Sequence, residues 1–375
     1  QDMATPKRRY PILEKRRYYL DVLRIVAICA IVLLHVAGSY WYQLSVYASE
    51  WQAINLYDCI TRWGVPVFVM ISGALFLDPA REQPIKKLWT RNIPKLVRLI
   101  LFWGLLYALV YDLPNIWTGE SVAGFIHDML FGTPHLWFLF MLLGLYIAVP
   151  ILRCITANEQ VMRYFLVFAF VMNFVVPLAT GAGTIPATQE FFSAFMIQLP
   201  LGYTFYFVLG YYLASHDTSR TMRWTIYVLA ILTLTVAVLC SSWVSLEQGS
   251  ANALVIRNHF PFMFAAAAVF ILVKQCFTRR WGDLVQTYET EPETTLANLP
   301  KDHTHLETIR ELSACTLGVY VVHIFVLRAL IAMGFSAVSF DPIIAAPVMA
   351  LVTIVISFGI AYVLKKIPFF GKYFV

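Results

Sequence analysis

The sequence predicts an all-α, polytopic integral membrane protein of about ten transmembrane helices with both termini in the cytoplasm. Three observations predict it. Of 375 residues, 59% are hydrophobic and 13% charged, and the mean hydropathy is +0.68, a balance typical of membrane proteins. Apolar windows of about 19 residues, enough to cross roughly 30 Å of hydrocarbon, recur through almost the whole length. Lys and Arg gather in alternate connecting segments, which sets the orientation. Because the windows run nearly end to end, residues 1–375 read as a single membrane domain. The formal charge of +6 does not call for a nucleic-acid partner, since the basic residues sit at helix ends, where topology accounts for them.

The spans fall at 20–41, 59–78, 95–112, 136–152, 161–178, 199–214, 223–242, 258–276, 315–334 and 343–364. Ahead of the first, the basic run KRRYPILEKRRYYL leads into a segment too long for a signal-peptide core and without a small-residue cleavage site, so no cleavable leader is expected. Nearly every basic residue lies before the first span or after the second, fourth, sixth, eighth and tenth. The alternate segments 42–58, 113–135, 179–198, 243–257 and 335–342 hold a single Arg, Arg257. Those outer segments are rich in aromatics, among them Trp41, Tyr42, Tyr47, Trp51, Tyr57, Trp117 and Trp243. Such rings form interfacial belts, or stack on sugars and isoprenoid chains.

The first span carries Asp21, Arg24 and His35, which membrane segments normally avoid. Arg24 and His35 are eleven residues apart, so they differ by only about 20° around the helix and lie about 16 Å apart along it. One face thus bears a cation near its cytoplasmic end and an imidazole deep in the membrane, a pattern that marks a pathway or site. The plainer reading is an interfacial Asp21–Arg24 pair with Arg24 snorkelling and His35 bonded to a neighbouring helix. In the second span, Arg62 to Gly73, Pro66 breaks the helical ladder, while Gly64, Ser72 and Gly73 permit close packing or a kink. Against the first span, a kinked helix can open a polar slot. The third is approached through Arg81, Lys86, Lys87, Arg91, Lys95 and Arg98, a basic stretch that satisfies topology and would also suit a polyphosphorylated cytoplasmic ligand.

The segment 277–312 is polar and of mixed charge and reads as a cytoplasmic connector, partly disordered. His303 and His305 within it read as solvated side chains, and no metal site is expected. The six cysteines show no metal-ligand spacing, and although Cys59 and Cys240 both fall near the outer surface, no disulfide is expected. The ninth span brings Tyr320 and His323 to one face, with His323 at mid-membrane. Either His35 or His323 could serve as a general base, or His323 could simply bond across helices. There is no P-loop, Rossmann glycine fingerprint, HExxH or GxSxG, so neither ATP-driven transport nor serine or zinc hydrolysis is supported.

Taken together these motifs resemble the type-3 membrane acyltransferase family, over roughly 17–365. Arg24 and His35, preceded by Tyr19-Leu-Asp-Val-Leu, are similar to its Arg, ten residues, His signature. Gly64-Val-Pro-Val-Phe-Val-Met-Ile-Ser-Gly73, His135-Leu-Trp-Phe-Leu and Leu317-Gly-Val-Tyr-Val-Val-His323 resemble three further family segments. The pattern is most like the branch that contains the enterobacterial common antigen O-acetyltransferase. The resemblance implies transfer of an acyl group, acetyl first, from cytoplasmic acyl-CoA to a hydroxyl of a surface polysaccharide or lipid-linked glycan at a bacterial inner membrane. No permanently bound cofactor is implied; acetyl-CoA is a co-substrate, and membrane lipid is the surrounding partner. It further implies His35 as general base, with Arg24, Tyr320 and His323 as the other catalytic candidates. Arg24, Lys87, Arg91 and Arg98 are the donor-binding candidates, and Asp21, Ser72, Gly73 and Trp137 line the slot. Tyr320 or Ser72 would hold the oxyanion. Two readings from other classes compete: a secondary transporter using Arg24, His35 and His323 as a relay, and a non-catalytic module presenting a lipid-linked sugar.

Overall fold

The computed structural model describes residues 17–79, 81–111, 122–179, 201–253, 255, 260–290 and 303–374. Among them there is no strand, and the chain is a succession of helices. In order these are α1 (Tyr18–Gly38), α2 (Ser49–Thr61), α3 (Gly64–Phe76), α4 (Ile85–Tyr111, with a π-helical turn at Leu88–Asn92), α5 (Val122–Phe131) and α6 (Trp137–Thr156). There follow α7 (Glu159–Phe170), α8 (Leu201–Ser215), α9 (Arg220–Gln248), α10 (Phe260–Thr290), α11 (His303–Ala332), α12 (Pro342–Lys366) and α13 (Pro368–Tyr373). Eight candidate spans are long and apolar enough to cross a membrane: α1, α2 with α3, α4, α6, α9, α10, α11 and α12. The expected spans at 161–178 and 199–214 fall on shorter pieces, α7 with its π-helical continuation Val171–Val175 and the turn to Ala179, and α8.

Several connecting segments differ from their sequence reading. Segment 42–58 is largely helical, because α2 starts at Ser49, and Trp51 within it and Trp41 just before it are core residues rather than belt residues. Both indoles are satisfied inside the protein: Trp51 donates to the Trp41 carbonyl at 2.9 Å, and Trp41 to Asn55 at 3.3 Å. The polar connector 277–312 is helical at both ends, where α10 runs on to Thr290 and α11 starts at His303. Once a membrane helix is nucleated, each added residue costs little, so the helices continue past their apolar stretches. Residues 291–302, most of 179–198, Trp117 and Arg257 lie outside the described residues. All six cysteines are free.

Helix α1 is the hub, packing against α2, α3, α10, α11 and α12. Polar groups inside the bundle are tied across helices, as they must be where water is absent. Asn55 accepts from Ser241 at 2.7 Å, joining α2 to α9, and the Tyr107 hydroxyl donates to the Val321 carbonyl at 2.9 Å, joining α4 to α11. At the other end Arg153 donates to the carbonyls of Phe76, Asp78 and Arg81 at 2.8, 2.9 and 2.8 Å, satisfying the end of α3.

The tightest crossing joins α3 to α8. A Cβ on Gly73 would run into the Phe207 backbone, and one on Gly210 into the Met70 backbone. Gly73 is therefore a packing residue at this crossing and lines neither of the cavities described below. Gly73→Leu should force the two helices apart and lower stability by roughly 1–3 kcal/mol or more. Thermal unfolding of the purified protein in detergent measures this, and an unchanged midpoint would contradict the crossing.

Candidate active site

Two cavities meet beside α1, named here for the orientation the basic residues imply. The inner one, about 380 Å³, is lined by Arg24, Ser72, Asn92, Lys95, Tyr146, Ser313 and Thr316, among others. The outer one, about 450 Å³, is lined by His35, Asp58, Arg62, His135, Trp137 and Tyr203, among others. Phe138 of α6 and Tyr320 of α11 line both, their ring centroids 5.3 Å apart, so these two rings stand between the cavities. The helical offset of Arg24 and His35 becomes a division of labour, with the cation in one cavity and the imidazole in the other.

Arg24 is held by a buried carboxylate. Asp21, 2% exposed, accepts from the Ser313 hydroxyl at 2.6 Å and from Arg24 at 3.1 Å. The i,i+3 spacing brings Asp21 and Arg24 together on α1, and Ser313 joins them from α11. Asp21 supports Arg24 from behind rather than lining either cavity.

Hydrogen-bond chemistry fixes the proton order of the histidine pair. Nδ1 of His323 lies 2.7 Å from the Tyr320 carbonyl and 3.2 Å from that of Val319. Carbonyls only accept, so this nitrogen carries the proton and the neutral ring offers a lone pair at Nε2. That Nε2 lies 3.1 Å from Nδ1 of His35, which must then donate to it. His35 is left with its lone pair on Nε2, on a ring that lines the outer cavity. A helix carbonyl thus sets the tautomer of one imidazole, which sets that of the next.

The outer cavity also has an ion pair. Arg62 donates to one oxygen of Asp58 through Nε at 2.8 Å and Nη2 at 2.6 Å. Pro66 has no N–H to bond the Arg62 carbonyl, so the helix breaks at Arg62–Trp63 and α3 starts afresh at Gly64. Beyond the pair, the Trp137 and Tyr203 rings stand 5.5 Å apart. His135 comes from a 3₁₀ turn, Pro134–Leu136, just before α6, and its ring is 6.3 Å from that of His35 and 5.4 Å from that of His323.

Of the residues singled out by sequence, Arg24, Ser72 and Tyr320 line the inner cavity and His35, Trp137 and Tyr320 the outer, while His323 is bonded to His35. Lys87, Arg91 and Arg98 are exposed on α4 and line neither cavity; the Arg98 guanidinium sits 5.4 Å from the Tyr373 ring centre. Lys95 and Asn92 of the same basic stretch do line the inner one. Sequence reasoning missed His135 and the Asp58–Arg62 pair as site residues. Their signals were a histidine abutting the Leu-Trp-Phe-Leu run, and opposite charges at i,i+4 before a helix-breaking Pro.

The fold and cavities define a helical membrane protein with a cation-bearing inner pocket and a histidine-bearing outer one. A family model described as an acyltransferase domain matches residues 17–362, and the chain belongs to this type-3 acyltransferase family. No curated protein and no solved structure matches it.

Proposed function

We propose that the chain moves an acyl group, acetyl first, from cytoplasmic acyl-CoA to a hydroxyl of a surface polysaccharide or lipid-linked glycan, with His35 as general base. The observation that carries this reading is the proton order of the His323–His35 pair, which leaves a basic lone pair on an outer-cavity ring. His35 takes the acceptor's proton as its oxygen adds to the thioester carbon. Collapse then breaks the C–S bond, and the departing thiolate recovers that proton. His323 is a positioning residue that holds His35 in the productive tautomer.

Arg24 and Lys95 in the inner cavity suit the phosphate end of the pantetheine arm, with Lys87, Arg91 and Arg98 available to the nucleotide phosphates at the surface. The rise from Arg24 to His35, about 16 Å, approaches the reach of an extended pantetheine, so the thioester would lie beside His35. Such a donor enters from the cytoplasm of a bacterial inner-membrane protein, with both termini on that side. The motif pattern supports the branch of the enterobacterial common antigen O-acetyltransferase.

His35→Ala should lower transfer by about 10²–10⁴, roughly 3–5 kcal/mol, while acetyl-CoA still binds, and His323→Ala should retain partial activity. Turnover that survives the first change and vanishes with the second would reverse these roles. Arg24→Lys keeps the charge but loses the planar fork, so it should weaken acetyl-CoA binding more than acceptor binding. Unchanged donor affinity in a calorimetric titration would remove Arg24 from the donor site. For orientation, a single cysteine at exposed Val122 in a cysteine-free background should react with an impermeant maleimide only from outside. Labelling from the cytoplasmic side alone would invert the topology.

A further inference from the structure

His135 takes no part in the proton relay, and we propose that its Nε2 donates a hydrogen bond to the oxyanion formed when the acceptor oxygen adds to the thioester carbonyl. This rests on the acyl-transfer reading above and adds a second catalytic residue to the outer cavity.

The first observation is an orphaned atom. His135 is 4% exposed, and its Nε2 is buried without a hydrogen-bond partner among the described residues. Buried ring nitrogens are ordinarily paired, and the ring that carries this solitary one borders the outer cavity, so we read it as a group whose partner arrives with a ligand. The ring lines the same cavity as His35, with centroids 6.3 Å apart and planes at 74°. On this proposal a tetrahedral carbon in the cavity in front of both rings has its attacking oxygen at His35 and its oxyanion at His135, each at hydrogen-bond distance of roughly 3 Å.

The second observation is that the ring is held in place. The Tyr320 hydroxyl donates to the carbonyl of His135 itself, and the Tyr107 ring meets the imidazole edge-on at 5.0 Å. A donor fixed before the reaction needs no reorganisation as charge develops, which is the condition for effective oxyanion stabilisation.

The third is that three nearby donors, among them the two expected from sequence, are committed. Tyr320 gives its proton to the His135 carbonyl, Ser72 lines the inner cavity and donates to the Phe68 carbonyl at 3.1 Å, and Arg62 is engaged by Asp58. Tyr320 and Ser72, the donors expected from sequence, thus have other partners, and the unpaired nitrogen is on His135.

In the balanced step, His35 Nε2 accepts the hydroxyl proton, the C–O bond forms and the carbonyl π pair moves onto oxygen. That oxygen accepts from His135, with the imidazole proton on Nε2. The pair then returns, the C–S bond breaks, and the thiolate takes the proton from His35.

The test compares His135→Phe with His135→Gln in membrane vesicles carrying the full chain, following transfer from radiolabelled acetyl-CoA into the vesicle glycan fraction. Loss of the donor should lower kcat by about 10²–10³ without changing the KM for acetyl-CoA. Gln, whose amide N–H can stand near the position of Nε2, should restore at least about a tenth of the activity. The melting temperature of purified His135→Phe should equal or exceed that of the parent, because an unpaired buried nitrogen has been removed. A merely structural histidine would instead lose melting temperature together with activity, and that result overturns the proposal. So does activity of His135→Phe within about threefold of the parent, or failure of Gln to restore it. If the parent transfers nothing from acetyl-CoA, the acyl-transfer reading falls and this role with it; if only the His135 result fails, that reading stands.

Discussion

A carboxylate buried in a membrane bundle must be paired, and the pairing of Asp21 organises this protein. Its oxygen receives the Ser313 hydroxyl at 2.6 Å and the Arg24 guanidinium at 3.1 Å, so one buried charge joins α1 to α11 and restrains the cation that lines the inner cavity. Breaking such a pair strands the other charge, at a cost of several kcal/mol, which makes the contact a strong determinant of register. The same two helices meet again at His35 and His323. Two polar contacts well separated along one helix pair leave little freedom to slide or rotate, and the inner and outer cavities inherit their relative position from that restraint.

The aromatic wall between the cavities forms where Phe138 of α6 meets Tyr320 of α11. Phe138 and Tyr320 are each buried and each face both spaces. On the proposed reading the wall separates the bulk of a thioester donor from the acceptor chamber. Excluding water matters here, because a base that can activate a sugar hydroxyl can equally activate water. The Trp137 and Tyr203 rings and the Asp58–Arg62 pair give the outer chamber the mixed apolar and polar lining that ligand sites favour.

Much of this was legible in the sequence. The helical class, eight of the ten expected spans and the Arg24–His35 face follow from hydropathy and the 3.6-residue period, which are local properties. Gly73 was misread because a small residue facing a slot and one facing a helix backbone look alike until the partner, here Phe207, is known. Lys95, rather than its basic neighbours, lines the inner cavity because the rotation of α4 is set by tertiary packing. His135 was hidden for a different reason. It sits in a single 3₁₀ turn with no periodicity, and its proximity to His35 and His323 arises only when three segments distant in sequence converge.

The use of an imidazole, rather than a carboxylate, to orient the base fits both the solvent and the proposed leaving group. An aspartate behind His35 would steady the imidazolium more strongly, but it would add a further buried charge to a region where each unpaired ion is costly. His323 is neutral, and its own orientation comes from the Val319 and Tyr320 carbonyls that a helix presents in any case. Such a pair makes a milder base than a histidine backed by a carboxylate. A thioester tolerates that, because thiolate leaves without strong acid assistance and its carbonyl is readily attacked. On the proposed reading the demand on the site then shifts from proton abstraction to holding the charge on oxygen, and the unpaired imidazole of His135 would answer that demand without bringing another ion into the membrane.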